Sequence, residues 1–277
     1  MKNILIFIAF FTLTINVYSQ SSDDLFKLGE TAFIEEEYPK AVDYFKKAAN
    51  LGSSEACGYL AFMYYYGAVP SIKNGNAIIR DTEMASLWAN RAGEQNSLRA
   101  DIVLALINYY EGNFKETIRI LTVWKEEFLF PEAKLALAIS YMVSGNNLYQ
   151  FAMRDKAEKL VKSVYDATKK DIEKSLYFYI SCAILAKLEL QKNWDIENPK
   201  IYKYLDKCEV DDVFCPLAAY MWGNILSHIA DADKKQLSLE YLKYAIDEII
   251  SNEAYEILYP FANEIISTYN TLKNQSK

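Results

Sequence analysis

The chain has 277 residues, 52% of them hydrophobic and 24% charged, so it can bury a sizeable core. Its formal net charge of −7 repels a phosphate backbone and its basic runs are short, which argues against nucleic acid as a partner. Only 9 glycines and 6 prolines are present, so few residues favour β-turns, which indicates a helical protein.

The N-terminus has the pattern of a secretory signal peptide. Lys2 is followed by an apolar run from Ile4 to Ile15, and Val17 and Ser19 suit the subsites of a signal peptidase. The run is shorter than the roughly 20 residues that a membrane-spanning helix needs. We therefore predict cleavage after residues 1–19, export to the periplasm or the extracellular space, and no stable membrane insertion afterwards. The alternative is an uncleaved N-terminal anchor.

A helix-turn-helix unit recurs between residues 22 and 128, and a fourth copy follows up to residue 170. Small residues such as Ala41 and Ala48 let two helices approach, while Phe45 supplies buried area. One hairpin cannot bury its apolar face alone, so the units are expected to stack. The recurring positions are Leu28-Gly29, Ala41, Tyr44-Phe45, Ala48-Ala49 and Gly52; Leu60-Ala61, Tyr64, Gly67, Ala85, Trp88-Ala89 and Ala92-Gly93; Leu104-Ala105, Tyr109-Tyr110 and Thr117; and Leu137-Ala138, Tyr141, Gly145 and Ala157.

These positions carry a family resemblance. The run Ala41-x-x-Tyr44-Phe45-x-x-Ala48-Ala49-x-x-Gly52 resembles the Sel1-like subclass of tetratricopeptide repeats, as does Ala85-x-x-Trp88-x-x-Arg91-Ala92. The chain lacks the Gly-Val turn of Sel1-like units after Gly67 and the proline that usually closes a tetratricopeptide unit. The resemblance implies an exported bacterial α-solenoid, right-handed, whose usual work is protein–protein contact.

Helical periodicity continues beyond residue 170, although the repeat signature fades. We predict an all-α fold: a right-handed α-solenoid of about six antiparallel helix hairpins over residues 20–272, with a C-terminal capping helix and a frayed tail at 273–277. The extra length of the units falls in two loops, 68–80 and 145–153. The later helical segments are 171–192, a shorter helix after Pro199, 213–230, 234–251 and 252–272.

Four cysteines are present. Cys208 and Cys215 lie seven residues apart across a predicted helix-to-helix turn, so they are candidates for a disulfide in an oxidising compartment. Cys57 and Cys182 lie in apolar helical runs and are predicted to belong to the core. Spacing alone does not establish a bond.

Residues that could carry catalysis are few. His228 is the single histidine, so no two-histidine metal site can form. The acidic run from Glu35 to Glu37 is typical of a solvated helix end, and no glycine-rich phosphate loop occurs. We predict no catalytic, cofactor-binding or metal site, no cofactor, and a protein that is not an enzyme.

Tyrosine is in excess, with 22 in the chain. If the tetratricopeptide register holds, one set of aromatic and apolar side chains faces the concave side of the array and could grip a peptide or stack on sugar rings. The alternative is that these side chains fill the packing between hairpins. The set comprises Phe62, Tyr65, Tyr66, Leu106, Tyr109 and Tyr110.

The sequence therefore predicts an exported scaffold that binds another protein or a peptide of the cell envelope through its concave face. An alternative is a protein that binds a cell-wall peptide or glycan, or a hydrolytic accessory protein, as proposed for Sel1-like exported proteins that this chain resembles. Those proteins carry a regular cysteine pair in each repeat, and here only Cys208 and Cys215 match that spacing. A third interpretation is a purely structural envelope subunit.

Overall fold

A computed structural model describes the chain over residues 20–67, 80–93, 96–144, 150–170, 176–193, 195–210, 213–229 and 231–275. The predicted signal peptide lies outside these residues, as do positions 68–79 of the first predicted loop and 145–149 of the second.

The described chain is helical apart from a two-residue antiparallel ladder, in which Glu209 pairs with Phe214 and Val210 with Val213. Most consecutive helices pack against each other, so the predicted all-α fold class is confirmed. No helix in these ranges is both long and apolar enough to cross a membrane. The helices are α1 (Ser22–Ile34), α2 (Tyr38–Asn50), α3 (Ser54–Tyr66), α4 (Thr82–Ala92), α5 (Leu98–Tyr110), α6 (Phe114–Leu121), α7 (Pro131–Ser144), α8 (Gln150–Thr168), α9 (Leu176–Asn193), α10 (Pro199–Leu205), α11 (Pro216–Ser227), α12 (Ala232–Ser251) and α13 (Ala262–Gln275), with 3₁₀ segments at Glu126–Phe128 and Glu253–Phe261.

The helix ends follow local signals in the sequence. The Ser21 hydroxyl accepts a hydrogen bond from the backbone N–H of Asp24 at 3.1 Å, and the Asp24 carboxylate accepts one from the backbone N–H of Ser21 at 3.3 Å. This capping box satisfies two amides that α1 itself cannot pair. At the start of α4, Asp81 Oδ1 accepts from the backbone N–H of Met84 at 2.9 Å. Pro199 begins α10, as predicted, because its missing N–H costs nothing in a first turn.

The described residues up to Val103 form one compact unit, the N-terminal unit. In it α1 packs on α2, α2 on α3 and α3 on α4. Ala41 and Ala48 are fully buried, as the repeat pattern predicts. A Cβ built on Gly29 would lie 2.6 Å from two ring carbons of Phe45. The small residues therefore allow α1 and α2 to approach closely.

The described residues from Leu104 onward form the C-terminal unit, and the boundary falls inside α5. Within this unit α6 packs on α7, α7 on α8, α8 on α9 and α9 on α10; further along, α11 packs on α12 and α12 on α13. The Thr117 hydroxyl on α6 donates to the carbonyl oxygen of Ala105 on α5 at 3.1 Å. Most helices of this unit are thereby joined to their neighbours in the chain.

The end of the chain returns to earlier helices of the same unit. The 3₁₀ segment Glu253–Phe261 packs against α7 as well as against α12 and α13, and the Tyr109 hydroxyl donates a hydrogen bond to the carbonyl oxygen of Ile257. In a simple helical array each repeat touches only its neighbours, so this return departs from the sequence expectation. Helix α13 continues to Gln275, into the tail that the sequence predicts to be frayed.

Candidate functional site

In the N-terminal unit, three residues of the predicted contact set lie on the last turns of α3. Tyr65 is only 2% exposed, and the Arg80 guanidinium lies 4.4 Å from its ring centre. Tyr66 is exposed, and its ring centroid lies 4.5 Å from that of the half-buried Phe62 and 4.9 Å from that of Tyr65. For Tyr65 the burial agrees with the packing alternative, while Phe62 and Tyr66 keep some surface.

The other three residues of that set lie on α5 in the C-terminal unit. Leu106 is fully buried and Tyr109 is 1% exposed, which again agrees with the packing alternative. Burial raises the pKa of the Tyr109 hydroxyl well above its usual value. Tyr110 is half-buried, and its hydroxyl donates to Glu132 Oε1 at 3.1 Å. Side chains that are fully enclosed cannot touch a partner, so the six residues do not all offer surface.

Beside Tyr109 and Tyr110, the C-terminal unit has a cleft of about 430 Å³, which we call the aromatic cleft. Clefts of roughly 300–1,000 Å³ are the usual size of ligand sites. Its walls come from the α5–α6 turn, the end of α7, the end of α12, the second 3₁₀ segment and the start of α13. The lining residues are Tyr109, Tyr110, Glu111, Gly112, Phe114, Val143, Ile250, Tyr259, Pro260, Ala262, Asn263 and Ile266.

Three large apolar side chains on the cleft walls are open to solvent. Val143 is 43% exposed, and Ile250 and Tyr259 are each 56% exposed. Single exposed apolar residues are ordinary on a protein surface. Three that line one cleft are less ordinary, because contiguous exposed apolar surface marks binding sites. The sequence analysis did not single out these residues, which lie far apart in the chain and carry no shared local motif.

The aromatic wall of the cleft is held in place by internal contacts. The ring centroid of Tyr109 lies 5.2 Å from that of Tyr110 and 5.7 Å from that of Phe114, with the rings close to perpendicular in both pairs. The hydrogen bonds from Tyr109 to Ile257 and from Tyr110 to Glu132 fix both hydroxyls. A ligand would therefore find this wall already formed, which lowers the entropic cost of binding.

A second, more open recess of about 620 Å³ adjoins the cleft, since both are lined by Gly112, Phe114 and Val143. Its other lining residues are polar or small and include Lys115 and Glu116. Glu116 accepts hydrogen bonds from the Arg119 guanidinium at 2.7 to 3.0 Å, and these bonds lower the pKa of its carboxyl group. The apolar cleft thus has a charged border on this side. The remaining lining residues are Asn108, Asn113 and Ser144.

The N-terminal unit contains an aromatic cluster that the contact prediction missed. The ring of Tyr59 stacks on that of Phe45 with 4.7 Å between the ring centroids, and the Arg99 guanidinium lies 3.9 Å from the centre of the Tyr59 ring. The Tyr59 hydroxyl donates to Glu30 Oε1 at 2.9 Å. Burial is the main reason that the pKa of Tyr59 rises to about 12. Because Tyr59 is only 7% exposed, the cluster serves chiefly to pack α1, α2 and α3.

All four cysteines are buried and carry free thiols in the structure. Cys57 and Cys182 belong to the core, as predicted. Cys208 and Cys215 flank the two-residue ladder, where the sequence predicts only a turn between helices, and the backbone N–H of Cys215 donates to the carbonyl oxygen of Cys208 at 3.2 Å.

His228 is exposed at the end of α11, with Nδ1 lying 2.8 Å from the carbonyl oxygen of Asn224. Among the described residues, no three histidine, cysteine or acidic side chains lie close enough together to hold a metal ion. A comparison with protein-family models and with curated proteins finds no match to this chain.

Proposed function

We propose that the chain is an exported helical-repeat scaffold that binds a peptide segment of another cell-envelope protein, and that the aromatic cleft is the place of contact. We further propose a tetratricopeptide or Sel1-like right-handed solenoid of about six hairpins and a C-terminal cap. The repeat pattern of the sequence and the pairing of consecutive helices support this part of the proposal.

The observation that carries the proposal is the convergence of Val143, Ile250 and Tyr259 on a cleft whose aromatic wall is already fixed. Most of the binding free energy at a protein interface comes from a few apolar or aromatic anchors that fill pockets. A peptide side chain that entered this cleft would cover the three exposed groups and remove their apolar surface from water.

The border of the cleft suits a peptide backbone. Glu111 and Asn263 line the cleft, and Lys115 and Glu116 line the adjoining recess. Their amide, carboxylate and ammonium groups can pair with the backbone N–H and C=O groups on either side of an apolar anchor. We therefore expect the partner segment to combine one or two large apolar side chains with polar neighbours.

The two tyrosine hydroxyls of the cleft favour binding over catalysis. That of Tyr109 is buried, has a raised pKa and is bonded to a backbone carbonyl, and that of Tyr110 is bonded to Glu132. A general acid or base has to reach a substrate with a free proton or lone pair. Both hydroxyls are committed to the protein itself.

A peptide-binding experiment tests the proposal. The full chain is immobilised and a phage-displayed library of random peptides is selected on it. We expect enriched peptides with aromatic or large aliphatic residues to bind the unmodified chain. They should bind an Ile250→Ser/Tyr259→Ser variant at least about tenfold more weakly, a loss of ~1.4 kcal/mol.

The matched control is Leu51→Ser/Leu87→Ser, because these leucines lie in the N-terminal unit and are 58% and 59% exposed. This variant should bind the same peptides as the unmodified chain does. An equal loss in both variants, or no enriched peptide at all, contradicts the proposal. Binding of soluble cell-wall glycan fragments that depends on Tyr259, without peptide binding, would instead favour the glycan-binding alternative.

A further inference from the structure

Three of the four cysteines gather in the C-terminal unit. Cys182 lies in α9, Cys208 follows α10, and Cys215 precedes Pro216 at the start of α11. Their exposed fractions are 0%, 1% and 3%, so all three thiols are enclosed. Cys57 belongs to the N-terminal unit and takes no part in this group.

The sulfur of Cys208 lies against helix α9. Its Sγ is 3.6 Å from the carbonyl oxygen of Tyr179 and 3.4 Å from that of Tyr204, in donor geometry toward both. Tyr179 precedes Cys182 by three residues, and in a helix a side chain leans back toward the carbonyls three and four positions earlier. The Cys182 side chain therefore leans toward the turn of α9 against which the Cys208 sulfur lies.

Cys215 approaches Cys208 through the backbone instead. Its N–H donates to the Cys208 carbonyl oxygen at 3.2 Å, next to the ladder pair Glu209–Phe214. Cβ atoms at hydrogen-bonded positions of an antiparallel pair lie toward the far end of a range of roughly 4.5–5.5 Å, whereas a disulfide needs about 3.5–4.5 Å. Cys215 is the N-cap of α11, but its thiol makes no capping hydrogen bond, and burial raises its pKa.

From these contacts we propose that Cys182 and Cys208 form a disulfide and that Cys215 stays a thiol. The bond would join α9 to the connection between α10 and α11. This disulfide is separate from the proposed binding function and rests on it in one respect only, the export of the chain to an oxidising compartment. It also differs from the pairing of Cys208 with Cys215 that the sequence spacing suggests, because the placement of the side chains in the fold, not distance along the chain, decides which bond can close.

The oxidant required is a disulfide, either of an oxidoreductase or of oxidised glutathione. The Cys208 thiolate attacks one glutathione sulfur, forming a mixed disulfide and releasing one glutathione thiolate. The Cys182 thiolate then attacks the Cys208 sulfur, closing the protein disulfide and releasing the second glutathione. Two protein thiols are oxidised and one glutathione disulfide is reduced to two thiols.

Burial determines when this reaction can occur. The thiolate is the attacking form. The neighbouring Cys182 thiol and burial raise the pKa of Cys208, and burial raises that of Cys215. The folded, reduced protein should therefore react slowly with oxidised glutathione. We expect the bond to form while the chain folds, before α9 and α10 close over the sulfur atoms.

Peptide mapping tests the pairing. The full chain is denatured, reduced and refolded in a glutathione redox buffer, free thiols are blocked with N-ethylmaleimide, and the protein is digested with trypsin and Asp-N. Trypsin separates Cys182 from the other two, and cleavage before Asp211 and Asp212 separates Cys208 from Cys215. We expect a linked pair of peptides that contain Cys182 and Cys208, with the blocking group on Cys215 and Cys57.

Two variants complete the experiment, each with helicity checked by circular dichroism. Cys215→Ser should keep the linked pair, and Cys182→Ser should lose it. Oxidised glutathione added to the already folded, reduced chain should give the linked pair at least about tenfold more slowly than refolding does. A bond between Cys208 and Cys215, a bond between Cys182 and Cys215, or blocking groups on all four cysteines after oxidative refolding overturns the proposal.

Discussion

Adjacent residues of the same type have different environments in this protein. Tyr109 is 1% exposed, with its hydroxyl bonded to the carbonyl of Ile257, whereas Tyr110 is half-buried and bonded to Glu132. Both are tyrosines at the end of α5, so neither residue type nor position in the sequence predicts that their burial differs. Their difference arises because successive residues on a helix point about 100° apart, and the direction of Tyr109 lets its hydroxyl bond to the 3₁₀ segment.

Two buried serines differ in whether their hydroxyl group has a hydrogen-bond partner. Ser140 on α7 and Ser181 on α9 are both fully buried, but Ser181 Oγ donates to the Tyr177 carbonyl at 2.6 Å, while Ser140 Oγ has no hydrogen-bond partner among the described residues. An unpaired buried hydroxyl costs about 1–3 kcal/mol of desolvation. We expect Ser140→Ala to raise the free energy of unfolding by about 1 kcal/mol, as measured by urea denaturation.

Ser181→Ala is the matched control, because it removes a hydroxyl that does have a partner. It should lower the free energy of unfolding by about 0.5–1.5 kcal/mol. If both alanine variants change stability in the same direction and by the same amount, the difference in hydrogen bonding does not explain the result.

At the scale of helices, the close approach of α1 and α2 depends on a glycine. Gly29 lies inside α1, where alanine would normally favour the helix by about 0.5–1 kcal/mol. A Cβ at this position would lie 2.6 Å from the ring carbons Cδ1 and Cε1 of Phe45, and Phe45 is fully buried. The ring has no free space to move into, so the clash should outweigh the helix propensity.

We expect Gly29→Ala to lower the free energy of unfolding by about 1–2 kcal/mol, since overpacking a core typically costs 1–3 kcal/mol. Denaturant unfolding of the full chain measures the change. In a Phe45→Leu background the same substitution should cost less or become stabilising, because the smaller side chain leaves room for the added methyl. An equal cost in both backgrounds would locate the effect elsewhere.

At the scale of the whole molecule, long-range contacts hold the C-terminal unit together. Lys187 on α9 lies 2.5 Å from Glu264 Oε1 on α13, and the Tyr220 hydroxyl on α11 donates to the same oxygen at 2.7 Å. The Lys187 side chain is 5% exposed, and burial lowers its pKa despite the opposing effect of Glu264. One carboxylate thus ties together three helices that are distant in the sequence.

We expect Glu264→Gln to lower the free energy of unfolding by about 1–3 kcal/mol, because it leaves the enclosed ammonium without its counter-charge. The Glu264 side chain is 46% exposed, so solvent moderates the loss. The double variant Lys187→Met/Glu264→Gln should recover most of the stability, since it removes the charge that needs compensation. Urea denaturation of the three proteins measures both effects.

The control is Asp43→Asn, which breaks an ion pair with Lys47 in which the two side chains are 55% and 63% exposed. Exposed pairs contribute about 0–1 kcal/mol, so this change should have little effect. Equal losses for Glu264→Gln and Asp43→Asn would show that burial of Lys187 does not matter.

The sequence by itself determined the helices of this protein. Apolar periodicity, capping residues such as Ser21 and Asp81, and starting prolines such as Pro199 act within a few residues, so they could be read without a structure. The same local pattern predicted the small residues at the crossing of α1 and α2. It also placed Cys182 in the core.

Only the tertiary structure decided which distant residues meet. The return of the Glu253–Phe261 segment to α7 brings Tyr259 and Ile250 to the cleft that Tyr110 lines, and the packing of α9 brings the Cys208 sulfur to the helix that carries Cys182. No local motif encodes these contacts, because they depend on how whole helices stack and on the surface that each one buries. For this reason the aromatic cleft and the grouping of the three buried cysteines exist only in the folded chain.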